Sequence, residues 1–245
     1  MKKYFAKAFL GLCALGTSTV AFAQDAAAPA VESGMHQALK TKFIEGGADF
    51  MSLVAIALIF GLAFCLERII YLNLAETNSN KLLKGIEEAL DKGDVEAAKA
   101  IARDTRGPIA SIAYQGLMRI DQGVDVVERS IVSYGGVQGG LLEKNLSWVT
   151  LFIAMAPSLG FLGTVVGMIM AFDKIEQVGD ISPTVVAGGM KVALITTVGG
   201  LIVALILQIF YNYLLSKLES ILNQMEDASI SLIDLVIKYN LKFKK

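Results

Sequence analysis

The sequence is poor in the residues that catalysis and metal binding usually require. It has one histidine, His36, in 245 residues, and two cysteines, Cys13 and Cys65. A single histidine in a polar stretch supports neither a histidine general base nor a histidine metal site. A Gly-Lys-Ser/Thr phosphate loop is missing as well, and a net charge of −1 argues against a basic surface for nucleic acid. We therefore expect no enzyme activity, no cofactor or metal, and no nucleic-acid partner.

Charge is missing from three long parts of the chain. Asp, Glu, Lys and Arg are all absent from residues 50–66, 145–172 and 192–216. Each stretch reaches the roughly 17 residues with which a helix crosses about 30 Å of hydrocarbon. Because lipid cannot satisfy free backbone groups, such segments must be helical. The sequence predicts an all-α membrane protein with three long membrane helices, at residues 49–72, 145–172 and 185–215.

The N-terminus has a different pattern. Three lysines precede a short apolar core, "AFLGLCALG", and the Ala-x-Ala site at 21–23, which is typical of a secretory signal peptide over residues 1–23. An uncleaved fourth anchor is the alternative, although this apolar core is short. Leu12 before Cys13 disfavours lipidation. Cleavage would leave 24–48 as a flexible segment outside the cytoplasm, and Cys65 without a disulfide partner in its own chain.

If the chain starts outside the cytoplasm, three membrane helices determine the side of the membrane on which each of the other segments lies. Residues 73–144 form a cytoplasmic helical domain, 173–184 a short outer loop, and 216–245 a cytoplasmic helix and tail. Lysines and arginines around 73–144 and in the tail agree moderately with this orientation. The terminal "KFKK" either stays in solvent or contacts anionic lipid.

The domain between the first two membrane helices is predicted to contain several helices. Asp94 is a candidate N-cap for one of them, and Pro108 starts another. From Val124 a helical pattern runs toward the second membrane helix, and "YGGVQGGLLEK" (134–144) interrupts it. Four glycines there indicate either a loose joint or a close approach of helices.

Small residues recur at helical spacing in the last two membrane helices. One stripe contains Ala156, Gly160, Thr164, Gly167 and Ala171. The other contains Ala193, Thr197, Gly200, Ala204, Gln208 and Tyr211, and it selects Thr197 over Thr196. Each threonine could simply return its hydrogen bond to the carbonyl four residues earlier. Two matched stripes instead favour close helix packing around one shared polar surface.

Ionisable residues lie only at the ends of these helices. Glu67 and Arg68 close the first, Asp173 and Lys174 follow the second, and Lys191 begins the third. A proton pump or ion channel usually carries a carboxylate near the centre of the membrane. If this protein handles protons, the titrating group must come from another chain.

Several motifs resemble one known family. "MAPSLGFLGTVVGMIMAF" (155–172) and "ALITTVGGLIVALILQIFYN" (193–212) resemble the second and third membrane helices of the MotA/TolQ/ExbB proton-channel family. "ERIIYL" (67–72) and "RGPIASIAYQGL" (106–117) are similar to the end of its first helix and to its cytoplasmic segment. The ExbB type is the most similar, because motility stators normally have four spans and TolQ proteins usually lack a long exported lead-in.

The resemblance implies a pentamer in the bacterial inner membrane, with the N-terminus periplasmic and the C-terminus cytoplasmic. Its pore would enclose an ExbD-like single-span partner whose Asp binds protons, facing Thr164 and Thr197. Gly160, Gly167 and Gly200 would line the same path and let the partner approach. Proton flow would then drive a TonB-like protein that energises outer-membrane import of iron chelates, haem or vitamin B12. A TolQ-like or motility-type motor is the alternative within the family, and a membrane scaffold or receptor the alternative outside it.

One position departs from the family pattern. ExbB and TolQ relatives commonly have a glutamate where this chain has Val192. Lys191 beside it either reaches the outer membrane interface or pairs with the partner. Gln208, Glu67 and Arg68 are further candidates for contacts with a partner or with the lipid interface.

Overall fold

A computed structural model describes residues 35–179 and 183–243, which are helical and contain no β-strand. In chain order the helices are α1 (Met35–Glu45), α2 (Ala48–Ala75), α3 (Ser79–Asp91), α4 (Val95–Asp104), α5 (Pro108–Leu117), α6 (Val124–Glu143), α7 (Leu146–Val178) and α8 (Pro183–Phe243). A short 3-10 helix (Ile120–Gln122) connects α5 to α6. The predicted all-α fold is confirmed. The predicted signal peptide, residues 24–34, residues 180–182 and the last two residues lie outside the described residues.

Residues 43–243 belong to one compact unit, and residues 35–42 belong to another. Within the latter, Thr41 donates a hydrogen bond to the carbonyl of Gln37 at 2.9 Å. The sequence pattern predicts a flexible segment at 24–48 and no helix there, whereas residues 35–45 form α1. Its sequence, "MHQALKTKFIE", contains neither glycine nor proline and consists mostly of good helix formers. The helix ends before Gly47, which has a positive φ of 79°.

Within the described residues, three helices are long and apolar enough to cross a membrane, and they are α2, α7 and α8. The prediction of three such helices is confirmed. With 61 residues, α8 extends for about 90 Å, three times the thickness of the hydrocarbon layer. Most of α8 must therefore lie outside the membrane. Because α8 is one unbroken helix, the tail from residue 216 onward continues the third membrane helix, as predicted.

The loop predicted at 173–184 is helical at both ends, and that boundary prediction is wrong. The second helix continues to Val178 because residues 173–178 contain no helix-breaking residue. It ends at Gly179, which adopts a left-handed φ of 71° and donates its N–H to Ile175 O at 2.9 Å. Pro183 begins α8, a position where its fixed φ suits the first turn.

The predicted starts of two helices in the 73–144 domain are confirmed. The Asp94 carboxylate accepts the Ala97 N–H at 2.9 Å, and Pro108 is the first residue of α5. The predicted interruption at the glycines is wrong, because α6 continues through all four of them. The chain breaks instead at Asn145, whose left-handed φ of 68° asparagine tolerates better than most residues.

One continuous seam of buried residues runs along α8. Its members recur at spacings of three and four, as in a coiled coil, except for one spacing of seven between Leu207 and Leu214. They are Ala193, Thr196, Gly200, Val203, Leu207, Leu214, Leu218, Ile221, Met225, Ala228, Leu232 and Val236. The N-terminal part of this seam packs against α2 and α7, and the C-terminal part packs against α3, α5 and α6. Lysines beside the C-terminal part pair with acids, as Lys238 does with Glu87 at 3.2 Å.

Candidate functional site

The backbones of α7 and α8 touch where their small residues meet. A Cβ atom added to Gly200 would lie 2.5 Å from the carbonyl oxygen of Ala156. A Cβ atom added to Gly160 would lie 2.9 Å from the carbonyl oxygen of Thr196. Both distances are shorter than real contacts allow, so only glycine fits at these two positions.

These contacts change the expected role of the glycines. We expected them to admit a partner chain, but Gly160, Gly167 and Gly200 are all buried between α7 and α8 of the same chain. A Cβ atom added to Gly167 would lie 3.4 Å from the backbone nitrogen of Ala193. The neighbour that these residues admit is therefore a helix of their own chain.

The close approach brings the two predicted threonines together. Thr164 and Thr197 are hydrogen-bonded to each other through their hydroxyl groups, and both side chains are partly exposed. The hydroxyl of Thr164 is also 3.2 Å from the carbonyls of Gly160 and Ala193. The hydroxyl of Thr197 is 3.3 Å from the same two carbonyls. Each threonine thus reaches the carbonyl four residues earlier in its own helix as well as the facing helix.

This arrangement allows two directions of hydrogen bonding. Either Thr164 donates to Thr197, which then donates to a carbonyl, or Thr197 donates to Thr164 and the final carbonyl bond comes from Thr164. Rotation of the hydroxyl groups interconverts the two without moving a heavy atom. A hydroxyl pair of this kind can pass a hydrogen bond along, but threonine does not titrate near neutral pH. Proton transfer here needs an ionisable group beside the pair.

A third hydroxyl, which the sequence stripes did not select, lies in the same interface. Thr196 is fully buried and packs against Gly163 of α7. Its hydroxyl is 2.9 Å from the carbonyls of both Val192 and Ala193. Between Ala193 and Leu207 the buried seam alternates spacings of three and four, which selects Thr196, and Thr197 lies at the edge of the seam. A search for that coiled-coil spacing would have found Thr196.

Lys191 has a partner within its own chain. Its Nζ is 2.8 Å from Oε1 of Glu45 at the end of α1, and this pairing was not among the two predicted alternatives. Next to it, Val192 lines a cavity of about 430 Å³ between α2, α7 and α8. Asp49 and Lys174 also line this cavity. Val192 thus contributes an apolar side chain to this cavity, and the acid among its lining residues is Asp49 of α2.

The remaining candidates form local contacts. Nε of Arg68 donates to Glu67 at 2.7 Å, and the guanidinium lies 4.4 Å from the centre of the Tyr71 ring. Arg68 is 3% exposed, and its Nη1 has no hydrogen-bond partner among the described residues. The amide nitrogen of Gln208 is 3.4 Å from Oδ1 of Asn212. None of these contacts involves the threonine pair, and none of them excludes a contact with another chain.

Metal chemistry finds no support in residues 35–179 and 183–243, which contain no group of three or more His, Cys, Asp or Glu side chains able to hold an ion. Thr164 and Thr197 lie within the charge-free stretches 145–172 and 192–216, which supply the pair with no carboxylate. The site is a hydroxyl pair in a tight interface of two membrane helices.

Three helices of this length and composition among the described residues indicate a multi-pass membrane protein. Residues 104–227 match the sequence model of the MotA/TolQ/ExbB proton channel family. Because the match covers half of the sequence, including all of α6 and α7 and the threonine pair, the chain belongs to this family.

Individual relatives agree with this assignment. The chain is 29% identical over 186 residues to a biopolymer transport protein ExbB homolog of Methanothermobacter thermautotrophicus, covering 75% of this chain and 65% of that protein. It is 37% identical over 89 residues to biopolymer transport protein exbB1 of Vibrio cholerae, covering 33% of this chain and 39% of that protein. It is 36% identical over 78 residues to biopolymer transport protein ExbB of Aquifex aeolicus, covering 32% and 53%. The matches thus span less than two thirds of the length of each of these relatives.

Proposed function

We propose that this chain is the channel subunit of an inner-membrane complex that converts proton entry into mechanical work for biopolymer transport. The work would energise TonB-dependent import across the outer membrane, of iron chelates, haem or vitamin B12. The observation that carries the proposal is the hydroxyl pair of Thr164 and Thr197, held between the charge-free stretches 145–172 and 192–216 of two membrane helices. Membership of a proton channel family and the names of the relatives support it.

In this proposal the proton-binding acid belongs to a second protein. Hydroxyl groups can orient and pass a hydrogen bond but cannot store a proton, so an ExbD-like single-span partner would supply an Asp. The membrane helix of this partner would lie in the pore of a homopentamer of this chain. Membrane lipid would surround the pentamer. The periplasmic N-terminus and cytoplasmic C-terminus belong to the same proposal, and so does the TonB-like protein that receives the work.

The threonine pair would act when the partner's acid comes within hydrogen-bond distance. An ionised carboxylate accepts a hydrogen bond from a hydroxyl, and a protonated one donates to it. Because the pair can donate in either direction, it can serve both forms of the acid without a change in helix packing. The partly exposed side chains of Thr164 and Thr197 leave room for such a contact.

Thr164→Val and Thr197→Val test the proposal, because valine keeps the shape and removes the hydroxyl. Each should lower partner-dependent proton flux by roughly tenfold or more, since a charged hydrogen bond is lost, and energised uptake should stop while the complex stays assembled. Thr150→Val is the matched control, because Thr150 lies on the same helix and its hydroxyl reaches only Leu146 O, at 3.3 Å. Normal iron-chelate uptake by the double valine variant would refute the proposal.

A further inference from the structure

We propose that Thr196 is a positioning residue, whose hydroxyl occupies a backbone acceptor that the Thr164–Thr197 pair could otherwise use. The pair therefore remains available to the partner's acid. This inference rests on the proposed function and deepens it. Thr196 touches neither the path to the partner nor the acid itself, because its side chain is completely buried. It acts on the pair through one backbone oxygen.

That oxygen is the carbonyl of Ala193. Three hydroxyl groups lie within hydrogen-bond distance of it: Thr196 at 2.9 Å, Thr164 at 3.2 Å and Thr197 at 3.3 Å. A carbonyl oxygen has two lone pairs, and inside a helix one of them already accepts the N–H four residues later. Three donors thus compete for a single remaining site, and Thr196 is the closest of them.

This competition limits which backbone carbonyl can accept the last hydrogen bond of the threonine pair. While Thr196 donates to Ala193 O, the terminal hydroxyl of the pair is left with the Gly160 carbonyl, at 3.2 to 3.3 Å. When Thr196 turns to Val192 O, also at 2.9 Å, the Ala193 carbonyl becomes free for the pair. With one internal acceptor in place of two, the terminal hydroxyl has fewer alternatives inside the chain, which favours donation to an acceptor outside it.

The packing of Thr196 provides the competing explanation. A Cβ atom on Gly163 would lie 2.9 Å from the Cβ of Thr196 and 3.0 Å from its Cγ2, so the side chain fills the space left by glycine. If Thr196 served only this packing, its methyl group would matter and its hydroxyl would not. The two roles therefore predict opposite rankings for a valine and a serine substitution.

Thr196→Val and Thr196→Ser separate the two roles in the full-length chain reconstituted with its single-span partner. We expect Thr196→Val to lower partner-dependent proton flux about two- to tenfold, the factor for one ordinary hydrogen bond. Thr196→Ser keeps the hydroxyl and should retain near-normal flux. A Thr196→Ser variant that is more impaired than Thr196→Val would overturn the proposal in favour of packing.

A second measurement does not depend on transport. The carbonyl-carbon NMR resonance of Ala193, recorded in lipid bilayers, should shift in Thr196→Val, where the donor at 2.9 Å is replaced by a hydroxyl of the pair at 3.2 to 3.3 Å, and should stay in place in Thr196→Ser. An unchanged resonance in Thr196→Val overturns the proposal whatever the flux. If Thr164→Val and Thr197→Val abolish flux while Thr196→Val does not alter it, only the inference about Thr196 fails. If none of the three alters flux, the proposed function fails with it.

Discussion

The two ends of α8 bury residues at the same spacing but use different side chains. Near the membrane end the seam consists of Ala193, Thr196 and Gly200, whereas toward the C-terminus it contains large aliphatic residues such as Leu218 and Leu232. Water drives large apolar side chains together, and lipid does not, because lipid tails are as apolar as leucine. In the membrane, helices associate through close backbone contact and hydrogen bonds, which small and hydroxylated residues permit. The same seam is thus held by different forces along its length.

The glycines show the same difference. A Cβ atom on Gly200 would overlap backbone atoms of α7, which cannot move aside independently. A Cβ atom on Gly116 of α5, which packs against the C-terminal part of the seam, would meet the Ile131 side chain at 2.9 Å and Leu232 at 3.4 Å. Side chains can change rotamer and backbones cannot, so glycine is strictly required only in the membrane part of the seam.

The largest effect is expected in the aliphatic part. Leu232 is 1% exposed, and Leu232→Ala should destabilise the protein by about 2–5 kcal/mol through lost burial and a cavity. Thermal unfolding in detergent would report a Tm lower by roughly 5–15 °C. Leu241→Ala on the same helix is the control, because Leu241 is 74% exposed. Equal Tm values for the two variants would show that this part of the seam is not held by burial.

In the membrane part, Gly200→Ala should separate α7 from α8. Overpacking against backbone costs about 1–3 kcal/mol, and the Thr164–Thr197 hydrogen bond should weaken as well, so both Tm and proton flux should fall. Gly188→Ala makes the same change on the same helix at a position where the added Cβ has no neighbour within 4 Å. A Gly200→Ala variant as stable as Gly188→Ala would contradict the backbone contact.

A smaller effect is expected from a glycine-to-alanine change in α5, where Gly116 packs against the C-terminal part of the seam. Gly116→Ala requires only that Ile131 move its side chain, and alanine gains about 1 kcal/mol of helix propensity over glycine. The net change in Tm should be smaller than for Gly200→Ala when the two are measured side by side. A loss as large as that of Gly200→Ala would remove the distinction between the two parts of the seam.

The ion pairs beside the C-terminal seam should contribute least. The carboxylates of Glu87 and Asp91 raise the pKa of Lys238 above its ordinary value of 10.5. A raised lysine pKa means that the pair stabilises the fold below pH 10.5 and that this contribution disappears as pH rises through the folded-state pKa. Lys238→Gln should therefore lower Tm slightly at neutral pH. A Tm difference that persists above that pKa, or in high salt, would show that charge is not its cause.

Much of this fold could be predicted from charge-free runs and helix-stop residues. Asp94 and Pro108 begin helices because capping and a fixed φ act within a few residues, and the three apolar helices follow from the absence of charge. The break at Asn145 could not be predicted, because four nearby glycines gave a stronger local signal than one asparagine. Whether a glycine bends a helix or packs against another depends on neighbours that are distant in sequence.

The candidate site shows the same limit. Thr164 and Thr197 were identified from small-residue stripes, but a stripe does not say which chain it faces, and the glycines proved to face their own chain. Thr196 was missed because the stripe continued from Ala193 with a spacing of four, to Thr197, whereas the buried seam continues with a spacing of three, and the two coincide again at Gly200. The pairing of Lys191 with Glu45 joins residues far apart in sequence, which helical periodicity cannot reveal.

The central claim is that this chain supplies hydroxyl groups and that its partner supplies the acid. Proton flux into liposomes tests this claim most directly. The purified chain should pass no more protons than empty liposomes when a pH gradient is imposed. Addition of the single-span partner with its Asp should produce flux, and replacing that Asp by Asn should remove it. Sustained flux through the purified chain alone would contradict the account.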